Sequence, residues 1–200
     1  MMFARSEEKL AAIASDQERL TYIAGDVADD SALERLFRET EQRLGPCQIL
    51  VNNAGVIDPS LVTEMAPGIW DLTFAVNVRA AFMATRRALP AMIEHRRGAI
   101  VNVSSISGVI GPEKFPGFTA YCASKAALIA FTEAVAVEVK EHGVRVNCVS
   151  PGSVDTPMWA EVSGGAPADM TAAEVAETIV FLATDGSRPI NGQNIHVFSS

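Results

Sequence analysis

Two hundred residues, 48% of them hydrophobic, suffice for one globular domain with a sizeable core. The net charge of −8 excludes the clustered basic surface that a nucleic-acid partner requires. Of the sixteen basic residues, only Arg86-Arg87 and Arg96-Arg97 form tight pairs, and a helix end with its following turn accounts for both.

In chain order, Ser6 reads as the N-cap of a first helix, with Glu7 and Glu8 in its first turn. "RLTYIAGDV" (19–27) reads as a strand ending at Gly25-Asp26, and Ser31 with Glu34 as a capping box. The helix that follows keeps apolar spacing to Gly45, and "QILVNNAG" (48–55) is an apolar run stopped by a turn. A long helical stretch from about Trp70 to Glu94 leads to the strand "GAIVNVSS" (98–105). A helix over 119–142 ends at Gly143, a good residue for the position after a helix, and "VRVNCVSPG" (144–152) is the next strand. Thr171 with Glu174 caps a last helix, and "NIHVF" (194–198) closes the chain as a strand. Strands without polar alternation, separated by helices, predict an α/β fold: a doubly wound parallel sheet in three α/β/α layers. Cysteines 47, 122 and 148 form no C-x-x-C, and histidines 95, 142 and 196 are scattered, so free thiols in a reducing cytosol and no metal site are expected. The charged "ARSEEK" near the start and the lack of any apolar run of bilayer length predict a cytoplasmic protein without a membrane partner.

Ligands of such sheets bind beyond the carboxyl ends of the strands. Asp26, Asn52-Asn53, Ser104-Ser105 and the stretch from Ser150 to Thr156 all fall at those ends. The helix "TAYCASKAALIAF" (119–131) adds Tyr121 and Lys125, four residues apart and so on one face. A structural reading makes them a packed tyrosine beside a snorkelling lysine. A chemical reading makes the lysine a cation that lowers the phenol's pKa for proton transfer. At an effective dielectric of ~20 and ~4 Å, the pair would interact by about 4 kcal/mol, enough to bring an ordinary phenol toward neutrality.

"NNAG" after one strand, "VSS" after the next, "YCASK" opening a helix and "SPGSVDTP" after the following strand resemble the short-chain dehydrogenase/reductase family, from about residue 3 to the C-terminus. That resemblance implies an oxidoreductase moving a hydride between a nicotinamide cofactor and a small carbonyl or alcohol. It implies Tyr121 as general acid, and Lys125 as the residue tuning it and holding the nicotinamide ribose. Ser105, second serine of "SS-x-x-G", would hold the substrate oxygen, with Ser104 or Ser107 as substitutes because "GPEKFPGF" lengthens the spacing to Tyr121. Asn77 would anchor a proton-relay water; the bland alternative is a core amide satisfied by backbone. Asp26 and Val27 would contact the adenine, and Asn53, Ala54 and Gly55 would line the cofactor. Pro151, Gly152, Val154 and Thr156 would cradle the nicotinamide end. By the same resemblance Arg5, just beyond the second strand, favours NADP(H) over NAD(H); the bland alternative is a solvated arginine near the start of a helix.

The chain departs from this pattern at its start. No G-x-G-x-x-G occurs, and "MMFARSEEKL" resembles the end of the family's second strand running into a helix. The resemblance therefore implies a single domain over 1–200, incomplete at its N-terminus by one strand–turn–helix unit. The lost strand would be central, beside "QILVNNA", leaving an apolar edge unless the sheet re-pairs. A competing reading is a cofactor-free, catalytically silent subunit that keeps only an association surface. The helices 70–93 and 119–139 are apolar nearly all round, which predicts a homodimer or homotetramer. A Ser–Lys hydrolase through Ser6 and Lys9 is set aside in favour of the helix cap.

Overall fold

Every strand pairing described in this computed structural model is parallel. The structure describes residues 1–15, 17–112 and 114–198. One residue of "GPEKFPGF" and the last two of the chain lie outside that set. The elements are β1 (Met2–Ala4), α1 (Glu7–Ala14), β2 (Tyr22–Ala24), α2 (Asp30–Leu44), β3 (Ile49–Asn52), α3 (Pro67–Phe74), α4 (Ala80–Glu94), β4 (Gly98–Val103), α5 (Thr119–Val139), β5 (Val144–Pro151), β6 (Val154–Asp155), α6 (Pro157–Val162), β7 (Met170–Thr171), α7 (Ala172–Ala183) and β8 (Asn194–Val197). A π-helical turn, Ala75–Arg79, joins α3 to α4.

The main sheet has the order β3-β4-β5-β8, and β1-β2 forms a separate pair. The sheet has not re-paired: β3 remains an edge, with Ile49 51% and Val51 40% exposed. On β4, Ile100 joins a core under α2, α4 and α5 with Phe37, Met92, Val139, Val144 and Val146. Its neighbour Val101 joins the opposite core with Val149, Val175 and Leu182 beneath α7. That alternation explains why "GAIVNV" carries apolar side chains on both faces, each worth about 1.5–3 kcal/mol when buried. Polar side chains of β3 and β4 are hydrogen-bonded to one another and to α5. Asn52 donates to Asn102 Oδ1 at 2.8 Å, and Asn102 donates to Thr132 Oγ1 at 2.9 Å.

Most expected boundaries match, and the capping box at Ser31 is corrected. Asp29 has extended backbone and its carboxylate accepts from Ser31 N–H at 2.8 Å, so the helix starts at Asp30 and Ser31 already lies in its first turn. Ser6 accepts from Lys9 N–H as an N-cap, and Thr171 with Glu174 forms the expected capping box. The long helix begins earlier than Trp70 because Pro67 is pre-set for its first turn. The short β6-β7 pair and α6, between β5 and α7, have no counterpart in the expected elements.

Candidate active site

The site lies where β4 gives way to a short 3-10 turn, Ile106–Gly108, and α5 begins. Gly108 makes this junction possible. A Cβ there would stand 2.6 Å from the Lys125 carbonyl carbon and 2.7 Å from Ala126 N, so the turn rests directly on the backbone of α5. Ser104 Oγ donates to Lys125 O at 2.8 Å and fastens the two segments. Ser104 is thereby used structurally, and the Ser107 amide donates to Ser105 Oγ at 3.1 Å. Of the three serines, Ser105 is the one whose hydroxyl acts on the Tyr121 phenol, favouring its ionised form.

Lys125 lies one helical turn beyond Tyr121, as its spacing requires, with its amine 5.6 Å from the phenol ring centroid. The expected lowering of the phenol's pKa is corrected by the geometry. The Lys125 amine donates to Val103 O at 2.8 Å rather than to the phenol oxygen. Burial raises the Tyr121 pKa, opposed by its hydrogen bond with Ser105. Burial lowers the pKa of Lys125 from its ordinary value to about 8, and pushes the Cys148 thiol behind it up to about 11. Tyr121 is thus a protonated phenol at neutral pH beside an amine that is still mostly cationic.

Asn77 sits in the π-helical turn, an irregularity that often marks functional sites. Its amide is fully engaged: Oδ1 accepts from Val56 N–H at 2.8 Å, while Nδ2 donates to Val56 O at 3.0 Å and Ser124 Oγ at 2.9 Å. The backbone-satisfied reading therefore describes the contacts. Yet a Cβ on Gly55 would stand 3.3 Å from Lys125 Nζ and 3.6 Å from Asn77 Oδ1, so the three residues share one small space.

That space opens into a cavity of about 640 Å³ between the two sheets. Arg5, Asp26, Val27, Asn53, Ala54, Gly55 and Asn77 all line it, which brings seven expected site residues together. Asp26 also holds its own turn, accepting from Ala28 N–H at 2.9 Å. Ser105, Tyr121 and Lys125 do not line it, and neither do Pro151, Gly152, Val154 and Thr156. Pro151 pairs with Val197, Gly152 N–H donates to Val197 O at 3.0 Å, Val154 pairs with Met170, and Thr156 caps α6. Among the described residues, no cluster of three His, Cys, Asp or Glu side chains could hold a metal, and no helix is long and apolar enough to cross a membrane.

Three contributors escaped the sequence reading. Ser124 links Asn77 to Tyr121 by donating to the Tyr121 carbonyl at 2.8 Å. The Val103 carbonyl aims Lys125, and the π-helical turn aims Asn77. Only Ser124, a hydroxyl beside a lysine in an otherwise apolar helix, left a trace in the sequence.

Fold and site together define a doubly wound α/β protein with a serine–tyrosine–lysine cluster at the carboxyl ends of its strands. The family model described as short chain dehydrogenase matches residues 1–166, and the chain belongs to that family of oxidoreductases. It is 35% identical to Nodulation protein G of Rhizobium meliloti (strain 1021), over 95% of this chain and 81% of that protein. It is 34% identical to the 3-oxoacyl-[acyl-carrier-protein] reductase FabG of Thermotoga maritima, over 96% of this chain and 82% of that protein. Among solved structures it resembles a ribose-5-phosphate isomerase from Brucella melitensis 16M, with TM-score 0.89 and 31% identity, covering 98% of this chain and 79% of the other. It also resembles ElxO with NADP bound, with TM-score 0.86 and 27% identity, covering 98% and 85%.

Proposed function

We propose that the protein is an NADP(H)-preferring oxidoreductase acting on a small carbonyl or alcohol. Buried Lys125, its amine 5.6 Å from the Tyr121 ring centroid, with Ser105 acting on the same phenol, carries this reading. Ser105 and Tyr121 would both donate to the substrate oxygen. The bound nicotinamide would supply the hydride, and the carbonyl π electrons would move onto that oxygen. Tyr121 would release its phenolic proton there, and the resulting phenolate would be stabilised by the Lys125 ammonium. A raised phenol pKa suits this direction, because the acid stays protonated at neutral pH.

The residues fit one end of the cofactor better than the other. Among the described residues the Lys125 amine makes one hydrogen bond, leaving donors for ribose hydroxyls beside the Gly55 space. Arg5 at the cavity wall suits the extra phosphate of NADP(H). No glycine-rich turn before a helix lines the cavity, and the α2 N-terminus carries Asp29 and Asp30. Losing several charge-assisted hydrogen bonds, at about 1.5–3 kcal/mol each, weakens binding by orders of magnitude. These 200 residues are therefore expected to bind NADPH weakly, and a longer form supplying such a turn to bind tightly. Weak or absent binding by this chain is also what the cofactor-free reading predicts, so the longer form distinguishes the two.

The test measures NADPH binding by nicotinamide fluorescence and turnover at saturating NADPH. A 3-oxoacyl thioester is the first carbonyl to try, given the FabG relative. Tyr121→Phe should leave binding intact and lower kcat by about 100- to 10,000-fold. Equal turnover in the variant and the parent would overturn the reading. Arg5→Ala should cut the preference for NADPH over NADH at least tenfold. The same reading takes residues 1–200 as one domain of a cytoplasmic homodimer or homotetramer. Exposed Phe82 on α4 and Val137 on α5 support that association, which light scattering tests.

A further inference from the structure

We propose that the turn Phe115–Phe118 is the subsite for the substrate's carbon skeleton, and that the carbonyl compound it selects carries a flat aryl group. The inference rests on the oxidoreductase reading and names the substrate class of that same site. It starts from the stretch that lengthens the spacing between Ser105 and Tyr121. Phe-Pro-Gly-Phe puts proline second and glycine third in a four-residue turn. Gly117 holds a φ of 84°, and the Phe118 N–H donates to Phe115 O at 3.2 Å, the signature of a type II turn. The first and last residues of such a turn stand close together, and the two phenyl centroids are 5.6 Å apart. The turn is held in place from outside as well. Ser60 N–H donates to Gly117 O at 2.9 Å, and a Cβ on Gly117 would stand 3.3 Å from that nitrogen. Glycine therefore serves both the positive φ and the close approach.

The turn runs directly into α5, and Phe118 takes the cap position before its first residue. That position favours Ser, Thr, Asp or Asn, whose side-chain oxygen satisfies a free helix N–H. Phe118 makes no such bond. The helix gives up its cap to place a phenyl ring one turn before the proton donor. That ring meets the Tyr121 ring edge to face, with centroids 6.3 Å apart at 80°. Three rings thus lead outward from Tyr121, through half-buried Phe118 to exposed Phe115. A carbonyl oxygen bonded to the Tyr121 hydroxyl at about 2.8 Å brings the substituents of its carbon within reach of Phe118. Neither phenyl offers a hydrogen bond, so the group they select is apolar. An aryl group there continues the offset and edge-on contacts that the rings already make with one another, and an aliphatic group does not.

The test uses the full chain and two ketones, para-fluoroacetophenone and butanone. Fluorine NMR titration of the aryl ketone needs no cofactor. It should show saturable binding that is at least fivefold weaker in Phe118→Ala. At saturating NADPH, the ratio of kcat/KM for the aryl ketone to that for butanone should fall at least tenfold in the same variant. Phe118→Trp keeps a flat ring and should restore most of that ratio. Phe115→Ala adds an arm with little risk to folding, because its ring is exposed. Its ratio should fall at least threefold with circular dichroism unchanged. The proposal is overturned by no saturable binding, by equal affinity in parent and Phe118→Ala, or by a ratio that Phe118→Ala leaves unchanged. It is also overturned if Phe115→Ala changes the light-scattering mass instead of the ratio, which would assign these rings to an interface between copies. Turnover of neither ketone by the parent chain would strike the oxidoreductase reading. The fluorine titration would then still decide whether the rings bind an aryl group.

Discussion

Strands β4 and β5 and the strands β1, β2 and β3 are built from similar apolar residues, yet they reach opposite burial. Nearly every residue of β4 and β5 is buried, with Val101, Val146, Cys148 and Val149 at 0% exposure. In β1 and β2 only Ile23 is buried, and no residue of β3 is. The difference is pairing. β4 and β5 each have a strand on both sides and helices on both faces; β1 and β3 each have one open edge. Apolar sequence alone does not bury a strand, and neighbours on both edges are required. The site divides along the same line. Ser105, Tyr121 and Lys125 stand on the fully paired half, whereas Arg5 and Asp26 stand beyond the cleft on the two-stranded half.

The largest expected contrast is in core truncation. Ile100→Ala, at a site 1% exposed in the main core, should cost about 2–5 kcal/mol in urea unfolding. Ile49→Ala on the open edge should stay within about 0.5 kcal/mol. Equal costs would mean that the edge is covered in solution, for example by association. A matching measurement is native-state hydrogen exchange, where amides of β1 and β2 should exchange well before those of β4 and β5.

The second contrast concerns charge buried in the well-packed half. Lys125 has a pKa lowered from 10.5 to about 8 by burial, so the unfolded chain binds the extra proton between those values. Stability then rises with pH across that window, and below about pH 8 the folded state bears the full cost, about 3 kcal/mol. Tyr121, raised above its ordinary value, acts oppositely and removes stability as pH climbs past about 10. Lys125→Met should therefore raise the melting temperature at pH 7 and lose most of that advantage by pH 10. The gain at pH 7 is held below the full figure by loss of the bond to Val103 O. The catalytic counterpart is a carbonyl-reduction rate that declines above about pH 8 as the ammonium titrates, read from a kcat–pH profile.

How much of this was legible in the sequence follows the same division. The main sheet was readable because unbroken runs such as "GAIVNV" and "VRVNCVSP" have the same meaning wherever both faces are covered. The pair Tyr121 and Lys125 was readable because helical spacing places them without reference to anything distant. What spacing could not supply was direction. The Lys125 amine is aimed by a carbonyl on β4, 22 residues away in sequence, so the expected drop in the phenol's pKa did not appear. Pro151 to Thr156 were placed by motif alone, and their pairing with β7 and β8 takes them off the cavity wall. The open edge at β3 was one of two outcomes the sequence allowed, the other being a re-paired sheet, and local pattern did not choose between them. β1 and β2 stand apart as a pair packed on α1, an arrangement that no local pattern encodes.

The smallest contrast uses two glycines with similar crowding and different neighbours. At Gly108 an added Cβ meets backbone of α5 at 2.6 Å, in a segment held by Ser104 and by the packing of Leu128 and Thr132. Backbone in a helix of 21 residues cannot step aside, so Gly108→Ala should cost about 1–3 kcal/mol and part Ser105 from Tyr121. At Gly25 the added Cβ meets Phe3 Cζ at 2.6 Å, which is just as close. That atom is the far end of a rotatable ring, and Phe3 borders the open cleft. The ring can swing into the cavity, so Gly25→Ala should cost less than about 1 kcal/mol in urea unfolding despite the equal distance. A Gly25→Ala cost as large as that of Gly108→Ala would show that the two halves are equally rigid, and the contrast between them would fall.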